Sequence, residues 1–378
     1  MVIDGNFAPF TSDRWPGLGS APWRPNSPEV VNPYVLAKPI LHLLDPETAH
    51  ELTLRALEAG IVPKQPTLAD PRLRVRLFGR DLASPIGLAA GFDKNARVYD
   101  KLYAQGFDHV EIGGVTPLAQ SGNPRPRVFR LPDDGGVINR MGFPNEGAEA
   151  VEWRVRRWGH RGMLGINLAS NTQSENPASD FIALVRRFAP LADFLTLDIS
   201  CPNTENGQIF LQPDRLRDLL AQIRSIELPL PPPAFVAKVS PDIEDARLRE
   251  IVAVLCEARI DAIIVSNTTA QRPQLVSPLR DERGGLSGRP LFAASTAMLA
   301  RVYELTDGEV PLIGVGGVSS GADAYAKIRA GATVVQIYTA LIYGGTALVT
   351  QIKRDLAALV ARDGFATVAD AVGAGAWR

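Results

Sequence analysis

From about residue 80 onward, hydrophobic positions recur in short apolar runs separated by amphipathic stretches. The runs fall at 84–90, 109–115, 163–169, 193–200, 234–240, 261–268, 311–318 and 334–340. Helix-like stretches separate them, for example at 214–226, 244–258, 293–305 and 321–330. Most runs are apolar at consecutive positions, which is typical of strands buried on both faces. Eight such strands alternating with helices predict an α/β fold, a closed (β/α)8 TIM barrel.

The chain before residue 80 follows a different pattern. Residues 1–32 are rich in proline and glycine and predict an extended or disordered arm. Residues 33–44 are apolar, and Asp45-Pro-Glu47 supplies a capping carboxylate, a proline at the first helical position and an acid in the first turn. Gly60 is the expected end of this second helix. We therefore predict an arm (1–32), a helical extension (33–70) and a barrel domain (71–378).

Two interpretations of the helical extension remain open on local grounds. The helices either cover the barrel or form a mouth for an apolar molecule and a contact with a membrane surface. No apolar run reaches the length of about 18 residues that a membrane span needs. The first residues also lack the basic start and apolar core of a signal peptide.

Composition and charge narrow the function classes. The 378 residues are 46% hydrophobic and 21% charged, as in an ordinary soluble enzyme. The net charge of −1 and the lack of a basic block argue against nucleic-acid binding. Cys201 and Cys256 form neither a disulfide framework nor a metal-binding motif, so no metal site is expected and a reducing compartment fits.

Candidate functional residues follow from the predicted fold, because barrel enzymes place their active sites at the C-terminal ends of the strands. Each predicted strand ends in glycine or in a hydrogen-bonding residue. In chain order these ends supply Ala89, Ala90, Gly91, Phe92, Asp93 and Lys94; the loop Asn139, Arg140, Met141, Gly142 and Phe143; Asn167; Asp198, Cys201 and Asn203; Lys238; Ser266, Asn267 and Thr268; Gly316 and Gly317; and Tyr338 and Thr339.

The segment 198–204 (DISCPNT) brings a thiol, two hydroxyls, a carboxylate and an amide to one strand end. Cys201 is therefore a candidate for proton transfer or nucleophilic attack. The alternative is a buried structural thiol, since free cysteine often packs as a small hydrophobic residue.

Glycines near the last two predicted strands, together with two lysines from other strand ends, indicate a phosphorylated ligand. The runs 314–317 (GVGG) and 344–345 (GG) would let backbone N–H groups approach a phosphate closely. Lys94 and Lys238 add positive charge, and a lysine beside a flavin would stabilise the reduced ring. A Schiff-base lysine, as in aldolases, remains an alternative.

Four asparagines at separate strand ends offer paired donors and acceptors. They would suit a planar ligand such as a pyrimidine, although any one of them could instead cap a loop. These residues are Asn139, Asn167, Asn203 and Asn267.

Ordered motifs over residues 33–360 resemble the dihydroorotate dehydrogenase family. They are GLAAGFDK (87–94), EIGGVTP (111–117), PRPRVFRL (124–131), INRMGF (138–143), SCPNT (200–204), SNTT (266–269), GGLSGRPL (284–291), GVGGVSSG (314–321) and QIYTAL (336–341). LDPETAHELT (44–53) resembles the quinone-dependent, membrane-associated class, whose N-terminal helical pair forms a quinone tunnel. The resemblance therefore favours the mouth interpretation of residues 33–62.

The resemblance implies a role for each candidate. Cys201 would remove a proton from C5 of dihydroorotate while hydride passes from C6 to flavin N5, yielding orotate for pyrimidine biosynthesis. FMN would contact Ala89, Ala90, Gly91, Phe92, Asp93, Gly114, Asn167, Asp198, Lys238, Ser266, Gly288, Gly316, Gly317, Tyr338 and Thr339. Dihydroorotate would contact Lys94, Asn139, Arg140, Met141, Gly142, Phe143, Asp198, Asn203, Asn267 and Thr268.

The same resemblance implies a second substrate and a location. A membrane quinone would accept the electrons along a path lined by His50, Arg130 and Tyr338. Residues 33–62 would make a peripheral membrane contact, which implies the cytoplasmic face of a bacterial inner membrane.

Four positions depart from the family pattern. Cys201 stands where the quinone class usually has Ser, Asp198 where the family has Asn, Ser170 where it has Lys, and Pro144 where it has Asn. A carboxylate at 198 has no proton to donate and would repel an anionic substrate. An FMN oxidoreductase acting on another dihydropyrimidine and a non-catalytic flavin-binding barrel are therefore alternatives.

Overall fold

The structure is a computed structural model that describes residues 34–200 and 207–376. The predicted arm (1–32) and the candidates Cys201 and Asn203 lie outside the described residues.

Strands and helices alternate along most of the described chain. The strands are β1 Val75–Leu77, β2 Arg80–Leu82, β3 Ile86–Leu88, β4 His109–Val115, β5 Val128–Leu131, β6 Gly136–Asn139, β7 Met163–Leu168, β8 Phe194–Asp198, β9 Ala234–Val239, β10 Ala262–Val265, β11 Gly285–Gly288, β12 Leu312–Val315 and β13 Ala332–Ile337. The helices are α1 Tyr34–Leu43, α2 Pro46–Glu58, α3 Tyr99–Leu102, α4 Gly147–Trp158, α5 Pro177–Phe188, α6 Pro213–Arg224, α7 Asp245–Glu257, α8 Phe292–Leu305, α9 Gly321–Arg329, α10 Thr339–Gly344 and α11 Ala347–Arg362.

Eight parallel strands close into a barrel in the order β10-β12-β13-β3-β4-β7-β8-β9. These are the eight predicted apolar runs, so the TIM-barrel prediction is confirmed. Every residue of β4, β7 and β8 is buried. Side chains on one face fill the barrel and those on the other pack against the helices, which explains why the runs lack polar alternation.

The connection between β4 and α4 contains structure that the sequence reasoning missed. We expected a long loop ending in residues 139–143, but β5 and β6 form a hairpin there and pair with β11 as an antiparallel sheet. This sheet has its own small core of Phe129, Leu131, Ile138, Leu275 and Leu286. Because both insertions follow barrel strands β4 and β10, the sheet lies at the C-terminal end of the barrel.

The two predicted N-terminal helices are present. Asp45 caps α2, since its Oδ1 accepts hydrogen bonds from the backbone N–H groups of Glu47 (3.0 Å) and Thr48 (3.1 Å). Gly60 follows the helix with a φ of 71°. α2 buries three side chains, whereas no side chain of α1 is fully buried. Within the described ranges, no helix is both long and apolar enough to cross a membrane.

Replacing the cap Asp45 by alanine should lower the free energy of unfolding by about 1 kcal/mol, because two backbone N–H groups lose their acceptor. Denaturant unfolding of Asp45→Ala against the exposed-loop control Asp133→Ala would measure this difference. Equal midpoints for the two variants would contradict the capping role.

Candidate active site

A cavity of about 990 Å³ lies between the C-terminal ends of the barrel strands and the helices α1 and α2. Its volume is near the upper end of the range of about 300–1,000 Å³ that is common for ligand sites. The inner part is lined by polar groups of the barrel, such as Asp198 and Lys238, and the outer part by α1 and α2, with Leu41 and Leu52. The cavity therefore has a polar floor and a largely apolar entrance.

Nearly all residues predicted from the sequence line this one cavity. These are Lys94, Asn139, Met141, Gly142, Phe143, Asp198, Asn267, Thr268, Ala89, Ala90, Gly91, Phe92, Asp93, Gly114, Asn167, Lys238, Ser266, Gly288, Gly316, Gly317, Tyr338, Thr339, His50 and Arg130. The fold thus brings together residues that are spread over most of the chain.

Arg140 is different, because its side chain lies outside the cavity. Its guanidinium donates to Glu282 Oε2 (2.7 Å) and to the carbonyls of Arg283 (3.0 Å) and Pro126 (2.9 Å). It also stacks 4.6 Å from the centre of the Phe129 ring. The predicted contact with a substrate would require this side chain to leave all four partners.

A buried carboxylate that the sequence reasoning did not select lies beneath the cavity floor. Glu111 is fully buried in β4 and accepts hydrogen bonds from Asn167 Nδ2 (3.0 Å) and Gln336 Nε2 (2.8 Å). These bonds fix both amides, whose oxygens have no hydrogen-bond partner among the described residues. The available signal was a polar residue between apolar neighbours in two of the runs, at Glu111 in 109–115 and at Gln336 in 334–340.

Asp198 is a second buried carboxyl and lies on the floor itself. It ends β8 directly opposite Lys238 of β9, and its Oδ1 accepts a 3.1 Å hydrogen bond from Asn267 Nδ2. Burial raises the pKa of Asp198, the Lys238 ammonium opposes the shift, and the Glu111 carboxylate adds to it. The side chain is therefore more easily protonated than an ordinary aspartate.

Lys94 supplies a cation on the side of the helices. Its Nζ donates to the carbonyl of Gly91 at 2.5 Å. Burial lowers the pKa of Lys94 to about 8, the nearby Glu47 carboxylate opposes this shift, and Arg127 adds to it. At neutral pH the amine is still mostly charged and can bind an anionic group.

Glu47 ties the start of α2 to the segment before β5. It accepts hydrogen bonds from the guanidinium groups of Arg127 (2.9 Å) and Arg125 (2.9 Å). Arg127 also donates to the carbonyls of Ser121 (2.5 Å) and Asn123 (2.8 Å). This network was not predicted, since it joins residues about eighty positions apart.

Aromatic and imidazole rings line the passage from the floor to the helices. His50 Nε2 lies 2.9 Å from the carbonyl of Phe92, and the two rings meet edge to face at 5.2 Å. Phe92 meets Tyr338 in the same way at 5.8 Å. Burial lowers the pKa of His50 to about 4, and the charge on Lys94 adds to the shift, so the imidazole is neutral at physiological pH.

Three further residues at the entrance escaped the sequence reasoning. Tyr34 Oη donates to the carbonyl of Ile342 (2.6 Å), and His42 Nε2 lies 3.0 Å from the same oxygen. Tyr343 Oη donates to the carbonyl of Gly136 (2.6 Å). Arg130 donates to the carbonyls of Leu41 and Leu44 at the end of α1. The bonds of Tyr34, His42 and Arg130 hold α1 against α10 and the small sheet.

Comparison with known proteins gives consistent matches. The family model described as dihydroorotate dehydrogenase matches residues 72–360. The dihydroorotate dehydrogenase (quinone) of Rhodospirillum rubrum is 49% identical over 90% of this chain and 94% of the relative. The mitochondrial dihydroorotate dehydrogenase (quinone) of Arabidopsis thaliana is 42% identical over 99% of this chain and 86% of the relative. A crystal structure of DHODH from Eimeria tenella in complex with ferulenol is similar with a TM-score of 0.84 and 36% identity, over 88% of this chain and 96% of that one.

Proposed function

The chain belongs to the dihydroorotate dehydrogenase family and is an oxidoreductase, and we propose that it oxidises dihydroorotate to orotate with FMN as cofactor and a quinone as electron acceptor, in pyrimidine biosynthesis. The observation that carries this proposal is the single two-part cavity. Its polar floor suits a flavin and a charged pyrimidine, and its apolar entrance suits a quinone.

The residues on the floor fit FMN. Two buried amide oxygens, Asn167 Oδ1 and Gln336 Oε1, have no partner within residues 34–200 and 207–376 and could accept hydrogen bonds from a ring N–H. Gly316 and Gly317 have φ values of 103° and 79° and carry no side chain where a phosphate would approach. Lys238 and Ser266 line the same space. When bound, FMN would accept the hydride at N5.

Lys94, Asn139, Asn267 and Thr268 would hold dihydroorotate. The Lys94 ammonium would pair with the substrate carboxylate, and the amides would bind the ring carbonyl and N–H groups. The backbone and side chains of residues 141–143 would close one side of this space.

Cys201 would act as the general base. The C5–H bond of dihydroorotate breaks, its proton passes to the Cys201 thiolate, and the C6 hydrogen leaves with its electron pair, so that the C5–C6 double bond of orotate forms. The resemblance and the position of Cys201, three residues after the end of β8, support this role.

The entrance between α1, α2 and the barrel would admit the quinone. The neutral His50 imidazole and the Tyr338 hydroxyl offer polar atoms beside apolar side chains, which suits a quinone head group on an apolar tail. Arg130 would act by holding the end of α1 in place.

A second candidate function is the oxidation of a different, less anionic dihydropyrimidine. The buried Asp198 beside Glu111 favours it, because a charged carboxyl there would repel the orotate anion.

The two functions can be separated by an anaerobic experiment on the yellow full-length protein. Dihydroorotate should bleach the flavin absorbance, added quinone should restore it, and neutral dihydrouracil should have little effect. Bleaching by dihydrouracil alone would favour the second candidate. A protein that binds flavin but is bleached by neither compound would contradict both.

We also propose that the exposed apolar side chains of α1 make a peripheral membrane contact. Leu36 and Leu43 are 81% and 88% exposed, which is costly in water and favourable at a lipid surface. Replacing both by serine should weaken sedimentation with phospholipid vesicles and raise KM for a long-tailed quinone. Leu230→Ser is the matched control, since Leu230 is 92% exposed just before the N-terminal end of β9. Equal vesicle binding of all variants would contradict this contact.

A further inference from the structure

Lys327 is a fully buried lysine on α9 that the proposed chemistry does not use. Its Nζ donates a 2.6 Å hydrogen bond to Ser295 Oγ of α8 and lies 5.3 Å from the centre of the Phe292 ring. Within the described part of the chain, no carboxylate lies within salt-bridge distance of this ammonium. A fully buried lysine carries its charge at a high cost in free energy unless an anion lies nearby, so an anion bound close to Lys327 would stabilise its charged form.

The groups that contact Lys327 from α8 and β12 are uncharged. Ser295 and Phe292 contact it from α8, and Gly314 from β12. The contact with Gly314 is close, since a Cβ built on this glycine would lie 3.2 Å from Lys327 Cδ. The charge that acts on Lys327 is Asp323, one turn earlier on α9. That carboxylate already accepts hydrogen bonds from the N–H and the hydroxyl of Ser319, each at 2.9 Å.

One hydroxyl separates Lys327 from the glycine loop of the cavity. Ser295 Oγ lies 3.0 Å from the carbonyl oxygen of Gly316, to which it can donate, and accepts from Lys327. A Cβ on Gly316 would approach Ser295 Oγ to 2.9 Å, and one on Gly317 would lie 2.5 Å from the Phe292 Cα. The loop therefore rests directly on the start of α8, with the buried Lys327 amine behind it.

We propose that Lys327 is a positioning residue whose ammonium is the counter-charge of the phosphate group of a flavin mononucleotide held at Gly316 and Gly317, and that phosphate binding is coupled to proton uptake by this lysine. The inference rests on the proposed FMN cofactor. In this proposal, backbone groups of the loop touch the phosphate directly. Lys327 lies behind the loop and acts on it through Ser295.

Electrostatics gives this coupling its direction. Burial lowers the pKa of Lys327 well below its ordinary value, and Asp323 only opposes the shift. A phosphate dianion nearby favours the ammonium and raises the pKa in the complex. FMN affinity should therefore be highest at pH values below the pKa that Lys327 has in the flavin-free protein. FMN affinity should fall as pH rises towards the higher pKa that Lys327 has in the complex. The affinity for riboflavin, which has no phosphate, should not follow this trend.

The experiment compares FMN with riboflavin in the full-length protein after removal of its flavin. Dissociation constants are measured by flavin fluorescence above about pH 7, where the phosphate monoester is a dianion. The preference for FMN over riboflavin should fall about tenfold in Lys327→Met, which corresponds to about one pKa unit of lost coupling. Lys353→Met is the matched control, because Lys353 is also buried but forms an ion pair with Asp108 (2.5 Å). Asp108 directly precedes β4, so this pair lies at the opposite end of the barrel from the cavity.

A second measurement does not depend on any variant folding. Calorimetric titration of the wild-type protein with FMN, in two buffers of different ionisation enthalpy, should show net proton uptake, and titration with riboflavin should show none. An unchanged FMN preference in Lys327→Met, or equal proton uptake with both flavins, would overturn the inference while leaving the proposed function intact. A wild-type protein that binds neither flavin would overturn both.

Discussion

Replacing Cys201 by alanine is expected to slow flavin reduction by dihydroorotate by about 10²- to 10⁴-fold, the usual contribution of a general base. Flavin content should stay unchanged, because Asn167, Lys238 and Gln336, which fit FMN, lie on strands other than β8. The measurement is the rate of flavin bleaching after anaerobic mixing with dihydroorotate. Cys256→Ala is the matched control, since Cys256 is an exposed thiol on α7.

The pH dependence gives a second test of Cys201. A thiol with an ordinary pKa of about 8.5 is mostly protonated at neutral pH, so the wild-type rate should rise with pH and level off above that value. Cys201→Ser should retain activity, because serine is usual at this position in the quinone class, and its rate should level off at a different pH. A normal rate for Cys201→Ala would rule out the thiol as the base.

Replacing Asp198 by asparagine is expected to lower KM for dihydroorotate by about 10- to 100-fold at alkaline pH and to change it little at acidic pH. The size of this change in KM follows from removing one negative charge a few ångströms from an anionic ligand in a partly desolvated site. Burial and Glu111 raise the pKa of Asp198, so at low pH the carboxyl is neutral and can donate a proton as asparagine does. As pH rises through that pKa, the wild-type site becomes anionic and repels the substrate.

The ratio of wild-type to Asp198→Asn KM across pH isolates this effect. Lys94, whose pKa is lowered to about 8, also loses charge at alkaline pH, but it does so in both proteins and cancels in the ratio. A pH-independent ratio would contradict the titration of Asp198. Tighter binding of a neutral dihydropyrimidine by the wild-type protein would support the second candidate function.

The asparagine variant should also be more stable at neutral pH. A carboxyl whose pKa is raised by folding destabilises the folded protein as pH increases from the ordinary pKa to the raised one. The gain in unfolding free energy of Asp198→Asn should therefore grow with pH over that window. Thermal unfolding at several pH values would measure it, and an equal gain at all pH values would count against a titrating carboxyl.

The barrel could be predicted because its signal is local. A strand covered by both the barrel core and a helix has to be apolar at consecutive positions, and runs such as 163–169 show this without reference to other parts of the chain. The cap at Asp45 was visible for the same reason, since its partners are two and three residues away.

The small sheet over the barrel could not be predicted in this way. Its strands β5, β6 and β11 are each four residues long, and β11 pairs with a strand about 150 positions earlier in the chain. The motif around Arg140 predicted a substrate contact, and it gave no sign of the side-chain partner Glu282, which comes from a distant loop. Motif order does not show which way a long side chain turns.

The sequence by itself determined the succession of strands and helices along the chain, the polar residues at the strand ends and the family resemblance. Apolar runs and motifs are properties of neighbouring residues, so they can be recognised without the tertiary structure. The tertiary structure decided which amides meet Glu111, how closely Asp198 faces Lys238, and which lysines are buried. These features set the pKa values of the site. They depend on desolvation and on charges contributed by separate strands, which come together only when the barrel closes.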